Sequence, residues 1–257
     1  MPYTLAHPIA VAAFKRPCLQ QSKLRLITSA MVIGALVPDA VMFINPFYRM
    51  PWTYTDAHSF FGVWLFNLPL GMALWMSWVF VLAPAYRYCA PRSLALRLPD
   101  PQPIDVSRMA WAIPSIILGI CTHLLWDSFT HAGYPLTSPG GPLDHTIGKL
   151  SLFRLLQHGS SVLGLIGVLF WIYLSLRTPK RTRAEYHFLR WPWLLPMISG
   201  VLAPVYLIMQ QNLAHPKVLK LALLNIVTGS VSGVLMCAFF CALVVLAIKG
   251  ARRVLRR

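Results

Sequence analysis

The sequence predicts an all-α, polytopic integral membrane protein with about six transmembrane helices and a short N-terminal re-entrant or interfacial helix. Three observations predict it. First, 57% of the 257 residues are hydrophobic and only 12% are Asp, Glu, Lys or Arg, about half the charged share of an ordinary soluble domain. Second, several apolar runs reach roughly 18 residues or more, the length that crosses a bilayer as a helix; the mean hydropathy of +0.60 agrees. Third, the basic residues fall between these runs in alternating number. The formal net charge is +16, from 23 Lys and Arg against 7 acids. A balance of that sign can mark a nucleic-acid partner, but here the bases border apolar spans, where the positive-inside rule puts them. No nucleic-acid partner is expected.

Taken in order, the chain opens on Met1-Pro2-Tyr3-Thr4-Leu5-Ala6-His7-Pro8 and an apolar stretch ending at Lys15-Arg16-Pro17. This start lacks the basic leading segment of a signal peptide. Pro8 suits a first helical turn, with Thr4 near the cap, and the helix is too short to span. The first span is expected over about Leu26 to Ile44, with Pro38-Asp39 near its far end. Phe47, Tyr48, Trp52 and Tyr54 then form an interfacial loop. The second span starts at His58 and runs to about Ala83, with Asn67 and Pro69 inside it. A polar Arg- and Pro-rich segment leads to the third span, about Ala110 to Phe129. A Gly- and Pro-rich loop (131–150) precedes the fourth, about His158 to Leu176. The basic stretch 177–190 precedes the fifth, about Trp191 to Met209. The sixth covers about Leu221 to Ile248, where Gly229-x-x-x-Gly233 suggests a close helix-packing face. Residues 1–176 are expected to form the membrane-embedded core of four spans. Residues 177–257 add a basic loop, two further spans and a basic tail.

The Lys and Arg counts along these segments are four, one, four, two, five, two and five. High and low alternate throughout, so both termini are expected on the cytoplasmic side of a bacterial inner membrane. The five cysteines (Cys18, Cys89, Cys121, Cys237, Cys241) contain no C-x-x-C pair and imply no disulfide framework; those inside spans read as small buried hydrophobes.

The chemistry gathers on Thr122 to His131. Positions four apart nearly eclipse on a helix, so His123, Asp127 and His131 make one polar stripe on an apolar span. Imidazole and carboxylate suit zinc or a similar divalent metal, and ionisable groups inside a membrane default to a functional reading. Asp39 lies roughly 21 Å of helix rise beyond Arg25 and Asp127 roughly 28 Å beyond Arg108. That places Asp39, His58, the stripe and His158 at similar depth, toward the outer face. His7 joins them only if residues 7–15 form a helix with Lys15 at the inner surface, which carries His7 about 12 Å inward. The bland reading of the stripe is a hydrogen-bonded network between helices; that of His158 is an interfacial polar group. Asp56 either pairs with Arg49 in the loop or backs His58. His145, His187 and His215 read as loop residues, and the tryptophans as packing or lipid-facing aromatics. A metal held by such residues lowers the pKa of water toward neutrality and polarises the bond attacked, and two ions can be bridged by a carboxylate such as Asp127.

These motifs together resemble a bacterial multi-pass membrane family classed as a domain of unknown function. The resemblance rests on the Met1-to-Pro8 start, Pro38-Asp39, His58-Ser59 with Asn67-Leu68-Pro69 beyond, His123 to His131, and Gln157-His158-Gly159-Ser160-Ser161. It covers about residues 1–175. That family is similar in motif order to membrane-bound metal-dependent hydrolases and, remotely, to zinc-dependent phospholipase C and S1/P1 nuclease. The resemblance implies that Asp39, His58, His123 and Asp127 hold one zinc. It gives His7 with Asp127 to a second and His131 with His158 to a third. The soluble enzymes carry an acid four residues after the last His, where this chain has Val162, and an N-terminal Trp ligand that it lacks. One or two ions are therefore expected.

The expected function is a metal-dependent hydrolase of a phosphoester in a lipid or lipid-linked substrate, with Asp127 and Asp39 as its catalytic carboxylates and membrane lipids as its surroundings. The alternative is a non-enzymatic membrane protein, a transporter or a scaffold whose His/Asp cluster is structural. Spans five and six carry few polar residues, which disfavours a transport path.

Overall fold

The structure, a computed structural model, describes residues 4–12, 14, 25–98, 103–177, 187–211 and 217–254. Lys15, Arg16, Cys18, Lys23, His215 and most of the basic 177–190 stretch lie outside the described residues. The described residues are 76% helical with almost no strand. Among the described residues, five helices are long and apolar enough to cross a membrane: α5 (Phe60–Cys89), α7 (Val106–Thr130), α8 (Leu152–Leu176), α9 (Trp191–Met209) and α10, which runs Val218–Val254 and is apolar enough over Val218–Arg252. Their outward faces are rich in exposed apolar side chains such as Leu163, Leu169, Leu202, Met209 and Leu235. That pattern suits lipid rather than water as the surrounding solvent.

The first expected span is broken. Thr28–Ile44 is a shorter apolar stretch made of α2 (Thr28–Gly34), a tight turn of 3₁₀ helix at Val37–Asp39, and α3 (Ala40–Ile44). Pro38 contributes to the break, since it donates no N–H and its ring crowds the preceding turn, which kinks or ends a helix. The break buries Asp39. A second short helix, α1 (Pro8–Ala12), follows a 3₁₀ turn at Thr4–Ala6. The expected second span also starts later. Tyr54–Ala57 forms a separate one-turn helix, α4, closed by a reciprocal capping box between Thr53 and Asp56. His58 ends α4, and Ser59 caps α5 by accepting from the Gly62 N–H at 3.0 Å. Asp56 therefore neither pairs with Arg49 nor backs His58: hydrogen bonds from the Thr53 hydroxyl and N–H hold its carboxyl below the ordinary value. Helix α5 contains two widened π-helical turns, Val63–Asn67 and Trp78–Leu82. Such turns rotate the residues that follow them and are frequent at functional sites.

The chain divides into two compact units. The first holds residues 1–40, 52–75 and 103–177. At its centre α2 packs on α7 with almost no side-chain spacing. A Cβ on Gly34 would meet the Ile116 carbonyl oxygen at 2.2 Å, and one on Gly119 the Met31 carbonyl oxygen at 2.1 Å. Only a hydrogen side chain permits that approach. The buried face of α7 carries Ala112, Ser115, Ile116, Gly119, Ile120, His123, Asp127 and Thr130 at helical spacing. The His/Asp stripe thus continues the face packed on α2. Ala6 touches α8 at Gly164, where a Cβ would lie 2.9 Å from the Ala6 side chain.

The second unit holds residues 41–51, 76–102 and 178–257; it takes in two segments that lie before residue 176. Its core is Ala85, Tyr88, Cys89, Ala242 and Val245. Helices α9 and α10 pack tightly there: a Cβ on Gly233 would meet the Ser199 carbonyl oxygen at 2.6 Å, and one on Gly229 the Pro204 backbone at 2.9 Å. A small hairpin of β1 (Thr146–Ile147) and β2 (Leu150–Ser151) in the first unit is the strand content among the described residues.

Candidate metal centre

Six of the seven predicted site residues meet within the first unit. His123 and Asp127 sit four apart on α7, both buried. Helix α7 ends at Thr130, and His131 is its C-cap, its N–H bonded to the Asp127 carbonyl oxygen at 2.9 Å. The cap position still brings His131 Nδ1 to 3.2 Å from Asp127 Oδ1. Asp39 arrives from the broken first span and His58 from the end of α4. His7 arrives from the N-terminal turn, is 1% exposed, and stacks on the His123 ring with centroids 3.9 Å apart.

Two imidazoles are oriented by backbone. His123 Nδ1 lies 2.8 Å from the Ala35 carbonyl oxygen and His58 Nδ1 lies 2.9 Å from that of Tyr54. A carbonyl only accepts, so Nδ1 carries the proton in each ring and both Nε2 lone pairs point inward. This is the outer support commonly seen behind metal-binding histidines. The two Nε2 atoms face one another at 3.3 Å. His58 Nε2 is 3.3 Å and His123 Nε2 3.4 Å from Asp127 Oδ2. Asp39 Oδ1 lies 3.7 Å from His58 Nε2 and 3.8 Å from His123 Nε2. The other Asp39 oxygen accepts from the Thr4 hydroxyl.

On its opposite edge Asp127 Oδ1 has His7 Nε2 at 3.6 Å and His131 Nδ1 at 3.2 Å. Among the described residues the groups able to hold an ion are His7–His123–Asp127 and Asp39–His58–His123. Buried polar atoms left without a hydrogen-bond partner include both His7 ring nitrogens, Asp127 Oδ1 and His131 Nε2. A buried polar atom left unpaired costs about 1–3 kcal/mol, so several at one spot point to a missing partner.

The donor set fits a divalent ion. With bonds of 2.0–2.1 Å, a tetrahedral zinc site spaces its ligand atoms about 3.3–3.4 Å apart. Five of the six separations among Asp39, His58, His123 and Asp127, all but that between the two carboxylates, run from 3.3 to 3.8 Å, and the His7–His123–Asp127 and Asp39–His58–His123 groups share His123. Inward lone pairs beside two carboxylates also repel unless a cation or proton lies between them.

His158 is the member the structure leaves out. It is exposed, whereas Gln157, Ser161 and Gly164 form the buried face of α8. One residue is a 100° turn, so a buried Gln157 directs His158 elsewhere. His131 accordingly pairs with Asp127 rather than with His158. The Gln157-to-Ser161 motif contributes differently: Ser160 Oγ accepts from the Trp126 indole at 3.1 Å, and Trp126 meets the His7 ring edge-on.

Two participants were not singled out from sequence. Thr4 hydrogen-bonds Asp39, and the Tyr54 hydroxyl donates to Asp127 Oδ2 at 3.3 Å while its ring packs on His58, centroids 3.9 Å apart. Spacing held the signal for Tyr54, which lies four residues before His58. Burial, and then the Asp127 charge, push the Tyr54 phenol up. The same causes push Tyr134 up to about 12. Both phenols are O–H donors at neutral pH. Asn67, rotated inward by the π-helical turn, donates to the Ala57 carbonyl at 2.6 Å and so steadies the backbone that carries His58.

With this geometry in place, the comparison with protein families is decisive: the family described as Domain of unknown function (DUF4184) matches residues 1–245. The chain belongs to the DUF4184 family. The match extends past residue 176 into α10, so the resemblance expected over residues 1–175 is too short and the DUF4184 region includes α9 and most of α10. No curated protein and no solved structure matches the chain.

Proposed function

We propose that this DUF4184 protein is a membrane-bound, metal-dependent hydrolase acting on a phosphoester of a lipid or lipid-linked substrate. The observation that carries the reading is the pair of buried ligand groups Asp39–His58–His123 and His7–His123–Asp127, which meet at His123. Asp39, His58, His123 and Asp127 would hold one ion, zinc by the mix of imidazole and carboxylate. The outer edge of Asp127, with His7 and His131, would hold a second. When bound, such ions supply Lewis acidity and acidify water toward neutrality. The chain's own residues do the rest. The Ala35 and Tyr54 carbonyls keep His123 and His58 in the tautomer whose Nε2 faces inward. Thr4 fixes Asp39 by holding one of its oxygens, and Asp127 offers one oxygen to each edge. The exposed apolar faces of α7 and α8, including Leu125 and Leu163, give a lipid-linked substrate access from the bilayer.

The topology belongs to the same proposal. Six crossings, with the Thr28–Ile44 stretch as the sixth, put both termini on the cytoplasmic side of a bacterial inner membrane and the site toward the outer face. The test of function is metal analysis of the purified protein beside Asp127→Ala. The parent is expected to hold one or two zinc ions. The variant is expected to lose them by more than the 10–100-fold that removal of an outer-shell partner costs. Metal near zero in both sinks the reading.

A second reading has its own support, because Thr4–Asp39, His123–Ala35 and Tyr54–Asp127 already tie separate segments together. A structural cluster of that kind predicts loss of folded protein in His123→Ala with no metal in the parent.

A further inference from the structure

We propose that the Tyr54 hydroxyl is the site's donor to substrate, binding a phosphoryl oxygen beside the ion held by Asp39, His58, His123 and Asp127; this rests on the hydrolase reading above. Tyr54 belongs to no predicted ligand set, yet among the described residues its phenol is one that hydrogen-bonds the cluster. Its hydroxyl lies 3.3 Å from Asp127 Oδ2, the oxygen that also faces His58 and His123. A bound ion would draw electron density from Asp127 Oδ2 and weaken it as an acceptor, and at 3.3 Å the phenol's hydrogen bond to that oxygen is already long. The phenol O–H would keep its position and be able to turn to a stronger acceptor. It is then a neutral donor at the edge of the centre, which a substrate's anionic oxygen completes.

The position is preorganised. The ring packs on His58 with centroids 3.9 Å apart, and the Thr53–Asp56 capping box fixes the turn beneath it. Neither contact uses the hydroxyl, whose competing acceptor is Asp127 Oδ2. A neutral donor suits the task, since a cationic side chain there would be repelled by the ion.

The experiment uses the full chain, zinc-loaded in detergent, with inorganic phosphate as the probe. Tyr54→Phe keeps the ring on His58 and removes only the oxygen. The expected result is unchanged zinc content with phosphate affinity about tenfold weaker, the size of one hydrogen bond to an anion. Unchanged zinc with unchanged phosphate affinity overturns the proposal. Loss of zinc in the variant overturns it as well, because Tyr54 then supports the ligands rather than the substrate. A zinc-loaded parent that binds no phosphate overturns this inference while the metal centre stands. A parent that binds no zinc overturns the hydrolase reading itself.

Discussion

His7 and His158 carry the same imidazole and meet opposite surroundings. His7 is buried against His123, with no hydrogen-bond partner for either ring nitrogen. His158 is exposed on α8. Neither placement follows from residue type, and depth along the chain argues for the wrong one of the pair. Depth brings His158 level with Asp39 and His58, but which way a helical residue points depends on its neighbours. The burial of Gln157, Ser161 and Gly164 decides it. The stripe on α7 is different, because His123 and Asp127 lie on one face by spacing alone and continue a face already apolar. Where one helix carries two ligands, periodicity exposes them; where each ligand comes from a separate segment, only the fold does. A matched pair of variants measures the contrast. His7→Ala is expected to weaken binding of the second zinc at least tenfold, read by competition with a chromogenic chelator. His158→Ala is expected to bind zinc as the parent does and to change stability by no more than about 0.5 kcal/mol. Equal effects of the two substitutions would remove His7 from the centre.

At the scale of elements, the sequence reads apolar length well and its interruptions less well. The long helices α7 to α10 stand near their expected places because some twenty apolar residues in a row admit few alternatives. The first span breaks at Pro38, a signal present in the sequence, and the break is what buries Asp39 beside His58. The separate turn α4 was hidden because its capping box, Thr53 with Asp56, sits among aromatics that read as an interfacial loop. The close approach of α2 and α7 is invisible at the residue level, since Gly34 and Gly119 lie 85 positions apart. That approach sets the centre. It brings the Ala35 carbonyl to His123 Nδ1, and so fixes the tautomer whose other nitrogen faces inward. Gly119→Ala would drive a methyl into the Met31 carbonyl. It is expected to destabilise the protein by about 1–3 kcal/mol and to weaken zinc binding, both read on one preparation by thermal unfolding and metal titration. Gly159→Ala is the control, because a Cβ there meets nothing within 4 Å; in a helix it is expected to be neutral or stabilising by up to about 1 kcal/mol. A Gly119→Ala protein with parental stability and zinc affinity would show that the contact between these helices does not hold the site.

For the whole molecule the decisive quantity is parity. Five helices are long enough to cross a membrane, and an odd number of crossings places the two ends of the chain on opposite sides. The topology proposed from the alternation of basic residues has an even number, because the leader and the tail are both rich and the segment around Arg49 is poor. The Thr28–Ile44 stretch resolves the conflict only by crossing despite its break. At 1.5 Å per residue it covers about 25 Å, slightly short of a hydrocarbon core of about 30 Å. In the proposed topology, local thinning, or the polar turn at Val37–Asp39 facing protein rather than lipid, would make up the difference. Single cysteines in an otherwise cysteine-free protein, labelled on intact cells with a membrane-impermeant maleimide, test this. Arg49→Cys and Pro139→Cys are expected to react from outside. Arg25→Cys and Pro103→Cys are expected to react only after permeabilisation. The pair at positions 25 and 49 carries the argument, because it brackets the broken stretch alone. If both react from the same side, the stretch is re-entrant, the chain crosses five times, and the pattern of basic residues records something other than orientation.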